Sequence, residues 1–104
     1  MYNAPEIRVS EARRLASEGR AVLLDVRSAR AYGRHHLPGA LNLPFAEFGP
    51  QVLELIDDLD AQVIVYCYIG VASANVTSQM LAMGYANVRS LAGGHALCRL
   101  LWRG

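Results

Sequence analysis

No lysine occurs in the sequence: all ten basic residues are arginines, scattered along the chain. Set against nine acidic residues they leave a formal charge of +1, with no clustered basic segment, so nucleic acid is not an expected partner. Cysteine is scarce. Cys67 and Cys98 are too few for a disulfide framework in 104 residues and match no zinc spacing, so reactivity is the question they raise. No apolar run approaches the roughly 18 residues of a membrane span. The start, Met1-Tyr2-Asn3-Ala4-Pro5-Glu6, lacks the basic segment and apolar stretch of an export signal. The expectation is a cytoplasmic protein without membrane contact.

Charged residues make up 18% of the chain and apolar ones 53%, ample material for a core and no compositional case for disorder. The length suffices for one core and not for two, which predicts a single domain over residues 1–104. Neither an internal repeat nor a linker interrupts it.

Along the chain, helical and strand patterns alternate. Ser10 is a candidate cap for a helix over Glu11 to Glu18, with Leu15 facing the core and Gly19 as the stop. Ala21 to Val26 is short and nearly all apolar, as in a strand buried on both faces. A short helix over Ala29 to Gly33 leads to the Pro38-Gly39 turn and the extended Leu41 to Pro44. Pro50 suits a first helical position, with Val52, Leu53, Leu55 and Ile56 as an apolar stripe. Gln62 to Tyr66 is the strongest strand, β-branched and aromatic, and runs into Cys67. A helix to about Met83 closes at Gly84, Asn87 to Leu91 reads as a last strand, and Gly93-Gly94 turns the chain into a final helix ending near Trp102. Such alternation predicts a mostly parallel sheet with ligands bound beyond its carboxyl ends, where Cys67 lies.

A cysteine between a strand and a helix is surrounded by backbone N–H groups, and the helix N-terminus adds partial positive charge; both favour thiolate. Gly70 permits a backbone turn that lets such groups converge as an anion nest. The plainer reading of Cys67, a small apolar residue ending a strand, stays open on spacing alone.

Four segments in sequence resemble the rhodanese family: Asp25-Val26-Arg27, His36-Leu37-Pro38-Gly39-Ala40, Tyr66-Cys67-Tyr68-Ile69-Gly70-Val71-Ala72-Ser73 and Leu91-Ala92-Gly93-Gly94. Each is weak alone; their order and separations are specific, and they span nearly the whole chain. The resemblance implies an α/β three-layer fold with a five-stranded, mostly parallel sheet and helices on both faces. It implies a sulfurtransferase whose loop cysteine takes sulfane sulfur from thiosulfate, or from a protein or low-molecular-weight persulfide, and passes it to a thiol acceptor. Cys67 matches that cysteine, so the intermediate would be a persulfide on Cys67, with no cofactor and no metal. The family loop would span Cys67 to Ala72, with the backbone of Tyr68, Ile69, Gly70, Val71 and Ala72 as its cradle and Ser73 opening the helix.

The chain departs from the family pattern at Ala31 for Glu, His35 for Gly, Ala72 for a frequent loop Arg and Cys98 for Trp. Losing the loop arginine removes a forked cationic donor, which predicts that thiosulfate is a poor donor. Arg27 is a candidate replacement for that charge; its structural reading is an ion pair fastening the strand end, and Asp25 reads as an acceptor of backbone hydrogen bonds. His35 and His36 should point different ways, with His36 structural and no third ligand to complete a metal site. His95 reads as a solvated helix start or an acceptor contact, and Cys98 as a core filler or, given reach, a thiol that resolves the persulfide into a disulfide. A phosphatase of related fold would need an arginine where Ser73 stands. A non-catalytic interaction or sensing module remains the alternative from another class.

Overall fold

The computed structural model describes residues 4–102; Met1 to Asn3, part of the start read above for an export signal, and Arg103 and Gly104 lie outside it. Five strands form one sheet in the order β1-β5-β4-β2-β3: β1 (Glu6–Ile7), β2 (Val22–Asp25), β3 (Leu41–Asn42), β4 (Gln62–Tyr66) and β5 (Asn87–Leu91). Every pairing is parallel. The helices are α1 (Val9–Ser17), α2 (Ala29–Arg34), α3 (Val52–Leu55), α4 (Val71–Met83) and α5 (Gly94–Leu101).

β4 is central and carries no exposed face, which its composition requires. Val63 and Val65 join Leu24, Val52, Val76, Met80 and Tyr85 on one side of the sheet. Ile64 and Tyr66 point the other way, into Val9, Ala12, Leu15, Leu91 and Cys98. The period-two alternation of a strand therefore feeds two cores, one under α3 and α4 and one under α1 and α5. This is the three-layer α/β arrangement expected, with helices on both faces.

Three local expectations are corrected, and one strand is new. Ser10 does not cap α1: the helix begins at Val9, because Val9 is drawn into the core and the Ala12 N–H already closes a turn on the Arg8 carbonyl at 2.9 Å. β1, only two residues long, escaped the pattern reading because so short a piece carries no period. α3 is a single turn starting after Pro50 rather than at it; on one turn only Val52 and Ile56 share the inward face, so Leu53 and Leu55 stay exposed. α4 starts at Val71, two residues before Ser73. Gly70, with φ +106°, turns the chain sharply enough that the helix begins at once.

Cys98 is 1% exposed in the α5 core, and burial lifts its thiol to about 11. Burial opposes the thiolate, which is the reactive form. In the folded protein at pH 8, iodoacetamide should therefore leave Cys98 unmodified, with labelling only after denaturation; peptide mass mapping checks this.

Candidate active site

The chain winds outward in opposite directions after β2 and after β4, towards β3 on one side and β5 on the other. A crevice must open beyond the carboxyl ends of two such neighbours, and it does: a pocket of about 900 Å³ there includes Cys67, Arg27, His35 and His95 in its wall.

Cys67 itself is only 6% exposed. Its Sγ accepts hydrogen bonds from the Gly70 N–H at 3.1 Å and the Ser73 N–H at 3.3 Å. The thiol lies 3.4 Å from Ser73 Oγ, which is 2.8 Å from Ser90 Oγ on β5. First-turn amides of a helix have no partner within the helix, and here one of them finds the sulfur. Ser73, set outside the expected loop by the sequence reading, is thus a direct neighbour of the sulfur. The signal was present in its position at the opening of the helix.

What turns the loop inward is α5. The His95 N–H donates to the Cys67 carbonyl at 2.8 Å and the Ala96 N–H to the Tyr68 carbonyl at 3.1 Å. With both carbonyls held on the α5 side, the following amides are free to face Sγ. Gly94 makes this approach feasible: a Cβ there would sit 2.6 Å from the Tyr68 oxygen and 2.7 Å from that of Cys67, and its φ is +60°. Tyr68, Ile69, Val71 and Ala72, expected with Gly70 as the cradle, form pocket wall. The side chains of Tyr68, Ile69 and Val71 are outward and exposed.

Arg27 is committed to Asp25. Its Nη2 donates to Asp25 Oδ2 at 2.7 Å, and Nε reaches both carboxylate oxygens at 3.1 Å. Burial works against the guanidinium charge, but the fully buried carboxylate outweighs it and holds the pKa above its ordinary value. Asp25 also accepts from the Arg27 N–H at 2.8 Å, and Nη2 donates to the His35 carbonyl at 2.6 Å. Both residues therefore fasten the end of β2 to the chain after α2, although Arg27 also borders the pocket. Asn42, not singled out by sequence, donates to the carbonyls of Asp25 and Arg27 at 2.9 and 3.0 Å.

The histidines separate as expected in direction. His36 donates from Nδ1 to the Tyr32 carbonyl at 2.8 Å and stacks on the Tyr32 ring, a structural role. His35 faces the pocket and meets His95, Nδ1 to Nε2, at 2.8 Å. His95 is not a solvated helix start: it is 5% exposed, packed near Tyr66. Burial first, then the charges of Arg27 and His35, lower its pKa to about 4. Burial likewise raises the Tyr66 phenol, whose oxygen accepts from the Leu37 N–H at 3.0 Å.

A family model described as Rhodanese-like domain matches residues 8–96. The chain belongs to the rhodanese-like domain family. Among its relatives, thiosulfate sulfurtransferase GlpE of Pseudomonas entomophila (strain L48) is 34% identical over 104 residues, covering 100% of this chain and 93% of the relative. Thiosulfate sulfurtransferase GlpE of Haemophilus influenzae (strain PittEE) is 36% identical over 89 residues, or 86% of this chain and 82% of the relative. The human single-domain sulfurtransferase TSTD1 superposes with a TM-score of 0.79 at 28% identity, covering 98% of this chain and 100% of that one. In this rhodanese-like chain the pocket's cationic and imidazole groups come from outside the cysteine loop.

Two outcomes follow for the site. Gly94→Ala should lower the unfolding free energy by about 2–4 kcal/mol, from overpacking and a forced left-handed backbone; equilibrium denaturation measures it. Folded His95 resists protonation until about pH 4, whereas an unfolded histidine titrates near ~6.5. Between those values the unfolded chain binds the extra proton, so this stability is complete above pH ~6.5 and is lost as pH falls toward 4. His95→Gln should flatten that slope, by up to about 3 kcal/mol across the window, read from denaturation midpoints at pH 4.5 to 7.

Proposed function

We propose that this chain is a sulfurtransferase that carries sulfane sulfur as a persulfide on Cys67. One observation carries the reading: a cysteine at the floor of an open pocket whose Sγ accepts N–H bonds from Gly70 and Ser73. Donors of this kind stabilise negative charge on sulfur, both on the attacking thiolate and on the terminal sulfur of a persulfide. The names of the relatives, thiosulfate sulfurtransferases, support the same chemistry.

In the first half-reaction the Cys67 thiolate attacks the outer sulfur of thiosulfate. A new S–S bond forms, the S–S bond of thiosulfate breaks, and sulfite leaves with the electron pair. An acceptor thiolate then attacks the terminal sulfur, takes it as its own persulfide and returns Cys67 as thiolate. No cofactor is required, since the electrons balance within sulfur, and Cys67 is free of disulfide, as this chemistry demands. Among the described residues no helix is long and apolar enough to cross a membrane.

Reduced protein incubated with thiosulfate, and separately with a protein persulfide donor, should gain the mass of one sulfur, and Cys67→Ala should gain none. Loading from the protein donor alone would point to a persulfide carrier that does not use the small dianion. Absence of loading from either would favour an interaction module instead.

A further inference from the structure

Glu18, Asp57, Asp58 and Asp60 lie in the turns that lead into β2 and β4, at the amino ends of the strands. The pocket at the opposite end is lined by Arg27, Arg34 and Arg99 and by no carboxylate. Asp25 neutralises Arg27. Arg34, at the end of α2, and Arg99, on α5, make no ion pair among the described residues. The charge of Arg99 is felt inside the pocket, since it is one of those that oppose protonation of buried His95.

Two further features describe what would sit there. A volume of about 900 Å³ is of the order that takes an organic ligand of some size, far more room than thiosulfate needs. The wall beside the arginines is apolar, with Phe45, Tyr68 and Ile69 exposed at 42%, 63% and 63%. Unneutralised guanidinium groups over an apolar wall suit a molecule with a hydrocarbon or peptide body and carboxylate groups.

We propose that the sulfur acceptor is an anionic organic thiol, whose carboxylates are drawn to Arg34 and Arg99 while its sulfur reaches Cys67. This rests on the sulfurtransferase reading and adds the acceptor's class to it. The acceptor enters as R–S⁻, forms a bond to the terminal sulfur of the Cys67 persulfide and leaves as R–S–S⁻. The Cys67–sulfur bond breaks and its electron pair stays on Sγ. Arg34 and Arg99 act on encounter and orientation, not on the bonds that change. Because both side chains are exposed, their pull is long-ranged and screened by salt.

The test uses the intact protein loaded with sulfur on Cys67, mixed with mercaptosuccinate, 3-mercaptopropionate, 2-mercaptoethanol or cysteamine. Loss of the added sulfur mass is followed, and rates are expressed per thiolate. The dicarboxylate should be fastest and the cation slowest, with mercaptosuccinate at least ~10-fold ahead of 2-mercaptoethanol at low ionic strength. That ratio should collapse towards one at ~0.5 M salt, where the screening length is only a few ångströms, and should fall likewise in Arg34→Gln/Arg99→Gln. Arg30→Gln, also on α2 but outside the pocket wall, should keep it. Equal rates across the series, a ratio that survives the double substitution, or an equal loss in Arg30→Gln would each overturn the proposal. Transfer blind to charge overturns this inference alone, whereas failure of Cys67 to load from any donor overturns it together with the sulfurtransferase reading.

Discussion

The start of α5 rests against the cysteine loop, and the site depends on that contact. Two backbone carbonyls, of Cys67 and Tyr68, are bound by the amides of His95 and Ala96. A peptide plane whose oxygen is fixed on one side has its N–H directed to the other, and beyond the two fixed planes the Gly70 and Ser73 amides turn to the sulfur. Only glycine fits at position 94, because any Cβ would lie inside the contact distance of both oxygens. The Gly93-Gly94 pair is therefore part of the cysteine site although it lies 26 residues further along the chain.

The same pocket shows how one fold supplies charge from different places. A small residue, Ala72, stands where the family often has an arginine, yet the crevice is not left without cations. Arg27 is used by Asp25 as a clamp on the end of β2, and that bidentate pair, buried and bonded to the His35 carbonyl as well, sets the wall's position. Arg34 and Arg99 come from α2 and α5 and stand at the rim. Moving positive charge from the loop to the rim changes its task. A loop guanidinium grips a small dianion next to sulfur, whereas rim guanidiniums act on the far end of a larger molecule.

The buried strands were legible in the sequence for a physical reason: β2, β4 and β5 are covered on both faces, so they read as short apolar runs with turns at each end. The cysteine's place at the end of β4 followed directly. Elements set by tertiary contact did not. Two-residue β1 exists only because β5 offers it a partner. The start of α1 is set by the burial of Val9, and α4 starts early because Gly70 adopts a left-handed turn. The pairing of His35 with His95 joins residues 60 positions apart, and no local pattern encodes it. Of the two readings of Arg27 the geometry shows the strand-end ion pair, but its partner was open in the sequence, where Asp25 read only as an acceptor of backbone hydrogen bonds.

The measurement that bears most directly on this account is a crystal structure of the protein after sulfur loading. The account predicts one added sulfur about 2.05 Å from Cys67 Sγ, the Gly70 and Ser73 amides still directed at the sulfurs, and the bonds from His95 and Ala96 to the loop carbonyls unchanged. A loop that releases those carbonyls on loading, or sulfur attached elsewhere with Cys67 unmodified, would contradict it.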